Sequence, residues 1–302
     1  MHVSVTLAGL RAVDALGAHG SISAAAVALG YTPSAVSQQI ARLERDLHQD
    51  LIERQGRRAS LTTSGTILAE SARRIISELE SMSARVQAES HTVTGSLTVA
   101  AFPSAARGLL PRVVGRLARR WPDLQVRAVE VSSHGAVELV LAGQADLAVA
   151  HDWHGLPMDV TEGLSGRRVG VDVSDVLVNE HHVNAALGEA DIQDFATDPW
   201  LYEPGSVAQE FLAAAFRGAS DGLSLGHRIS EYATQVEMVA AGLGVALVPR
   251  MGRGALPPSV RVVAVRSPPL RGIHALWRSA STQRPAITAT LDELESACAS
   301  VP

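Results

Sequence analysis

The chain has 302 residues, 46% of them hydrophobic and 19% charged, which is enough apolar material for about two cored domains and too little charge for a disordered chain. Its formal net charge of -5, from 26 basic and 31 acidic residues, argues against coating nucleic acid or anionic lipid by bulk charge, although it leaves room for a local DNA-binding patch. Every basic residue is arginine, which excludes a Schiff-base lysine or a P-loop, and the single Cys298 excludes an internal disulfide, a CxxC pair and a thiolate zinc site.

Residues 7–19 place Leu7, Leu10, Val13 and Leu16 at helical spacing, with Gly20 as a stop. Ser21 or Ser23 caps a short helix that ends at Gly30. Thr32 and Pro33 read as an N-cap followed by a first-turn proline, opening a third helix with Val36, Ile40, Leu43 and Leu47 as its buried stripe. Ser34, Ser37, Gln38, Arg42 and Arg45 fall on its other faces. Apolar segments then flank Arg54, Gln55, Gly56, Arg57 and Arg58, which is a hairpin pattern. Helix, short helix, capped helix and basic hairpin together read as an α+β winged helix-turn-helix domain over residues 1–62. Its third helix would enter the major groove of a double-stranded DNA operator, and its hairpin would touch the backbone or minor groove.

Thr62 or Thr63 starts a long helix, a linker over residues 63–91. Leu68, Ala72, Ile75, Leu79, Met82 and Val86 recur on it as a heptad seam. The seam predicts self-dimerisation; the alternative is packing on this chain's own first or third helix. The polar stretch 91–95 reads as a hinge, and strand and helix alternate after it, which means a parallel sheet with crossover helices. One helix is expected from Pro103 to Trp121, and the strand pattern restarts near residue 168.

At this point the chain becomes recognisable. GSISAAAVALGYTPSAVSQQIARLERDL, continued by LIERQGRRASLTTSG, resembles the N-terminal domain of the LysR-type transcriptional regulators. GLLPRVVGRLARRWPDLQVRAVE, LVLAGQADLAVA and VEMVAAGLGVALVPRM are similar to that family's effector domain. The resemblance implies a periplasmic-binding-protein-like (type 2) α/β domain over residues 92–302, with two Rossmann-like subdomains, one at about 95–168 and 267–302 and one at about 169–266. It also implies tetramers, with effector binding rearranging the DNA-binding pairs. Four departures stand out: His48, Gln49 and Asp50 replace a glycine-containing turn, Ile52 a common Phe, Gln38 a common Arg and Pro33 a common Gln.

The expected DNA contacts are Thr32, Pro33, Ser34, Ser37, Gln38 and Arg42 on the helix and Arg54, Arg57 and Arg58 on the wing. Glutamine pairs best with an adenine edge, so Gln38 predicts a weaker demand for guanine than arginine would impose. The wing guanidinia suit phosphate or a narrow minor groove. The alternative for these residues is a solvated polar face, with Arg54 paired to Glu53 or Asp50.

Ligands of doubly wound sheets bind beyond the carboxyl ends of the strands. Phe102 and Ser104, Ser133, His151, and Tyr202, Gly205 and Ser206 follow predicted strands there. Hydroxyls and free N–H groups at helix starts suggest a small carboxylate-bearing effector, and the resemblance places Ser104 and Ser133 at positions that often line the inducer pocket. The plainer reading is that these serines are N-caps. His151, His154, His181 and His182 fit no zinc spacing, Cys298 reads as a buried apolar residue, and no metal or cofactor is expected. A peroxide-sensing thiol would need a resolving partner within the chain, and there is none.

The N-terminus lacks a basic stretch before an apolar run, and no window approaches the roughly 18 apolar residues of a membrane span, so a cytoplasmic protein is expected. A solute-binding protein without a transcriptional role would explain the C-terminal two-thirds but not the N-terminal domain. An enzyme finds no support in GxSxG, HExxH or P-loop motifs, all of which are lacking.

Overall fold

A computed structural model of the chain describes residues 5–55, 58–90, 92–152, 160–217 and 223–300. The N-terminal helices are α1 (Leu7–His19), α2 (Ile22–Leu29) and α3 (Pro33–Leu47), followed by the hairpin of β1 (Ile52–Gln55) and β2 (Arg58–Leu61). Local chemistry sets their ends. Ser21 caps α2 by accepting from the Ala24 N–H at 3.1 Å, and Gly20 and Gly30 close α1 and α2 in the left-handed conformation. Leu10, Val13, Leu16, Val36, Ile40, Leu43 and Leu51 form one core under these elements.

The turn after α3 is closed by His48 at φ 52°, the one non-glycine residue with positive φ among those described. An L side chain there crowds its own carbonyl, which is why glycine is the usual occupant.

Thr62 caps α4 (Thr63–Glu89), a 27-residue helix that spans about 40 Å at 1.5 Å per residue. The heptad seam divides here. Ala72 is fully buried, and with Leu68 it packs into this chain's own N-terminal core. Those two residues therefore leave the expected dimer seam, because the first turns of α4 must cover α1. Ile75, Leu79, Met82 and Val86 stay exposed, at 46, 40, 53 and 68%.

The C-terminal region is built on β3 (Gly95–Ala101), β4 (Leu124–Glu130), β5 (Leu147–His151), β6 (Leu164–Asn179), β7 (Glu189–Ala190), β8 (Trp200–Tyr202), β9 (Leu225–Arg228), β10 (Val245–Pro249), β11 (Val260–Val265) and β12 (Leu270–Arg278). Its helices are α5 (Pro103–Gly108), α6 (Leu110–Arg120), α7 (Ser133–Leu141), α8 (Val207–Ala215), α9 (Tyr232–Ala240) and α10 (Pro285–Cys298). The strand order is β4-β3-β5-β12-β6-β10-β8-β9, with β11 beside β6 and β7. Parallel pairs make up each half, β4-β3-β5 and β10-β8-β9. The antiparallel pair β6 and β12 joins them. Each half has its own core, one around Leu97, Leu109 and Ile287 and one around Phe195, Trp200 and Phe216.

Two expectations change. The helix expected over residues 103–121 breaks at Leu109 into α5 and α6, because Pro111 has no N–H to continue the ladder from the preceding turn. The boundary expected near residue 168 falls inside β6, which runs through both halves without interruption. Its polar start, Ser165 to Arg168, pairs with β12, and that pairing is not visible in a local hydropathy pattern.

Candidate nucleic-acid interface and ligand cleft

The exposed face of α3 is set by its buried one. Val36, Ile40 and Leu43 turn inward, so Ser34, Gln38, Arg42 and Arg45, spaced by four, four and three, emerge together and exposed. Thr32 Oγ1 accepts from the Ala35 N–H at 3.2 Å and lies 3.0 Å from Ser34 Oγ. Thr32 and Pro33 thus shape and expose the N-terminus of α3, while Ser37 is half-buried at the margin. Arg42 lies 3.9 Å from Asp46 in an exposed pair, worth about 0.5 kcal/mol and easily exchanged for a phosphate. Arg45 joins this face although it was not among the expected contacts; its three-residue step from Arg42 was the available signal.

Glu44 seats the wing beside that helix. Its Oε1 accepts from the Leu51 and Ile52 N–H groups at 3.0 and 3.2 Å, anchoring the first wing strand to α3. Gln55 pairs with Arg58 across the end of the hairpin. Arg57 lies outside the described residues, as do the side chains of Arg54 and Arg58.

In the C-terminal region, Phe102, Ser104, Ser133 and His151 come together. Arg271, on β12, is the group they surround, and it is 1% exposed. Its Nε and Nη2 donate to Asp172 Oδ2 at 2.9 and 2.7 Å, and Nη2 also donates to Ser104 Oγ at 2.7 Å. The guanidinium lies over the Phe102 ring, 4.9 Å from its centroid. Phe102 meets the edge of His151 at 4.6 Å between centroids, and Ser133 Oγ accepts from the His151 backbone N–H at 3.3 Å. Neither serine is the cap of its helix. Phe102 holds that position in α5 without a side-chain bond, and Ser132 holds it in α7.

Burial pushes His151 down to about 3, and the positive Arg271 acts in the same direction, so the ring is neutral at pH 7. From the other half, burial raises the Tyr232 phenol and the Glu203 carboxyl above their usual ranges. Arg271 and Asp172 both act electrostatically on Tyr232, which places that phenol at the cleft. The site is a neutral Arg–Asp pair walled by aromatic rings. Three donors on it have no acceptor among the described residues, namely Arg271 Nη1 and the Ser104 and Ser133 hydroxyls.

The remaining expected ligand contacts lie apart from this cluster. Ser206 caps α8, accepting from the Gln209 N–H at 3.1 Å and donating to the Glu203 carbonyl at 2.8 Å. Gly205 donates its N–H to Gln209 Oε1 at 2.8 Å. Those bonds use the hydroxyl and the amide offered to an anion, so the cap reading fits Ser206 and Gly205 better than the ligand reading. Tyr202 is half-buried and, among the described residues, makes no hydrogen bond to the Arg271 cluster. Sequence reasoning missed Arg271, Asp172 and Tyr232. The first two are 99 residues apart and meet only through the pairing of β6 with β12.

His182 bonds to Asp198 at 3.0 Å, and among the described residues no cluster of His, Cys, Asp or Glu is arranged to hold a metal. His154 lies outside the described residues. Cys298 is buried against Gly170, and burial pushes its thiol up to about 11. No helix among the described residues is long and apolar enough to cross a membrane.

Two family models match this architecture, "Bacterial regulatory helix-turn-helix protein, lysR family" over residues 7–66 and "LysR substrate binding domain" over residues 90–299. "Probable HTH-type transcriptional regulator LrrA" of Synechococcus elongatus is 29% identical over 277 residues, 91% of each chain. "Probable hydrogen peroxide-inducible genes activator" of Mycobacterium leprae is 29% identical over 247 residues, 81% of this chain and 78% of that one. Among solved structures, a full-length OxyR variant from Pseudomonas aeruginosa shares the fold with a TM-score of 0.71 at 20% identity, covering 97% of this chain and 95% of that one. These relatives are transcriptional regulators rather than enzymes, and a helix-turn-helix domain and a LysR substrate-binding domain stand in one chain here. The chain belongs to the LysR family of DNA-binding transcriptional regulators.

Proposed function

We propose that the chain reads a two-fold DNA operator as a homodimer or a dimer of dimers, and that a small carboxylate bound at Arg271 switches it. The observation that carries the ligand class is the set of unmatched donors in a buried aromatic pocket, Arg271 Nη1 with the Ser104 and Ser133 hydroxyls. A carboxylate has four lone-pair sites and no donor, so it matches such a set. An amine would meet donors only, and a purely apolar ligand would leave them dry and unpaired, at a cost of about 1–3 kcal/mol each. Phe102 and the neutral His151 ring suit a short apolar body behind the carboxylate.

Self-association is supported by the apolar face Ile75, Leu79, Met82 and Val86, which this chain leaves uncovered. On the DNA side, Ser34, Gln38, Arg42 and Arg45 are the reading face and the wing arginines the phosphate grip. Calorimetry with a panel of small carboxylates, their amides and matching amines tests the ligand class. Heat from the carboxylates alone is the expected result, and binding confined to amines or amides refutes it. Selection from a randomised operator library tests the helix. Gln38→Ala is expected to change the preferred base at one position per half-site, and unchanged selection removes Gln38 from base reading.

The Mycobacterium leprae relative's name concerns hydrogen peroxide. Thiol-based sensing of that kind is not part of this reading, because the chain's one cysteine is buried with its thiol raised to about 11.

A further inference from the structure

Where α5 and α6 face the segment after β10, there is a second cavity of about 640 Å3. Arg107 and Arg112 reach it from one half of the effector domain, Arg250 and Arg253 from the other. Asp175 is the one carboxylate in its lining, so the walls carry four positive charges against one negative. The chain as a whole is at -5, so this surplus is a local arrangement and does not follow from composition.

Asp175 is almost fully buried and already engaged by two of these arginines. It accepts from Arg250 Nε and Nη2 at 2.9 and 2.8 Å and from Arg253 Nη1 at 2.7 Å. Arg107 is held at the rim, with Nη2 3.1 Å from Glu231 Oε1 and Nη1 3.2 Å from the Gly252 carbonyl. Both members of that ion pair are about half exposed, so its hold is weak. Arg112 is exposed and has no ion-pair partner among the described residues. Even with Glu231 included, two positive charges go unmatched. Pro111, Met251 and Val262 give the recess an apolar side.

This site differs from the cleft in chemistry. The cleft guanidinium is neutralised by Asp172 and almost fully buried, whereas the cavity presents several partly exposed guanidinia with surplus charge. Convergent planar guanidinia favour oxyanions that accept two parallel hydrogen bonds, and a volume in the range of 300–1,000 Å3 suits a small molecule. We infer that this cavity is a second ligand site, for a small organic anion with at least two negative charges, of the phosphate-ester or polycarboxylate class.

The segment that lines the cavity also touches the cleft. The Met251 N–H donates to Asp172 Oδ1 at 3.0 Å, and Gly252, at φ 70°, packs so closely that a Cβ there would sit 2.4 Å from the Ser104 carbonyl. An anion gripping Arg250 and Arg253 therefore braces the loop that positions the cleft pair.

The full-length protein is titrated with pyrophosphate and with citrate in a calorimeter, with acetate at matched ionic strength as control. Hydrogen–deuterium exchange then locates the site. Saturable binding of either dianion-or-higher probe at one per chain is expected, with protection at residues 107–112 and 250–254. Either probe alone suffices, and which one binds separates the phosphate from the carboxylate source. Arg112→Gln and Arg107→Gln each remove one cation from the rim and should weaken binding about fivefold or more, while Arg11→Gln on distant α1 should not. Protection of residues 107–112 and 250–254 by acetate as well as by citrate, protection by the probes at Ser104 and Ser133 instead, or unchanged affinity in both rim variants would overturn the assignment. So would loss of the site on dimerisation, since the cavity would then be filled by a second copy.

Discussion

His151 makes the stability of the effector domain depend on pH in a way that can be worked from the structure. In an unfolded chain a histidine titrates near 6.5. Folding buries this ring at the end of β5 beside Arg271 and moves it down to about 3. The folded pKa lies below the unfolded one, so between those values the unfolded state binds the extra proton. Stability from this residue is complete above about pH 6.5 and declines as pH falls toward 3. At pH 5 the loss is about 2 kcal/mol, from 1.5 units at 1.36 kcal/mol each. All four tryptophans (Trp121, Trp153, Trp200 and Trp277) lie in the effector region, so intrinsic fluorescence follows that domain alone. Urea unfolding at pH 7.5 and 5.0 then compares the parent with His151→Gln, which cancels the other histidines. The parent should lose about 2 kcal/mol more than the variant over that interval. Equal losses would mean that the ring is solvated and that the cleft has no desolvated imidazole.

The same unfolding assay applied to Asp172→Asn should show a loss of about 3–5 kcal/mol, since Arg271 would keep a buried charge without its counter-ion; a loss under about 1 kcal/mol would contradict that burial. Leu79→Glu combined with Met82→Glu puts charge into the uncovered face of α4, and light scattering should report a smaller assembly, whereas an unchanged mass would move the dimer contact off this helix. His48→Gly relieves the left-handed residue after α3 and should raise the stability of the N-terminal domain by about 0.5–1 kcal/mol, read from helical circular dichroism; a decrease would mean that the imidazole makes a compensating contact. With its thiol raised from 9.0 to about 11, Cys298 should be alkylated about a hundredfold more slowly than an ordinary cysteine at neutral pH, and rapid alkylation of the folded protein would show that α10 opens.

Chemistry that acts over a few residues is legible in the sequence. Ser21, Thr32 with Pro33, and Thr62 cap helices because a hydroxyl reaches an amide three residues ahead whatever the rest of the chain does. The exposed polar face of α3 follows from its buried stripe for the same reason. The heptad on α4 is visible as a spacing, but a spacing does not say which neighbour it meets. All four share one face of α4, but at 1.5 Å per residue Val86 lies about 27 Å beyond Leu68, so Leu68 and Ala72 meet the chain's own N-terminal core while Leu79 and Val86 stay exposed farther along the helix. The centre of the cleft is the least legible part. Arg271 and Asp172 belong to strands distant in sequence, and nothing local distinguishes Arg271 from the 25 other arginines. Ser104 is expected at a ligand position only through family likeness, and the structure shows its hydroxyl accepting from the Arg271 guanidinium.

A chain with no lysine makes every cationic joint from a planar fork, and β12 shows what that does mechanically. Arg271 near one end of the strand is locked to Asp172 and Ser104 in the cleft. Arg278 at the other end donates from Nε to Glu80 on α4 at 2.9 Å and from Nη1 to the Val140 and Ala145 carbonyls at 2.7 and 2.8 Å. An ammonium holds its partners around a rotating point, whereas a guanidinium fixes the plane in which they must lie. Displacing Arg278 therefore moves the linker helix and the C-terminal end of α7 together. The strand is pinned by one fork to Asp172 and Ser104 in the cleft and by another to the helix that leads to the helix-turn-helix domain. If the proposed ligand drew Arg271 away from Asp172, it would act on a strand that makes oriented contacts at both ends.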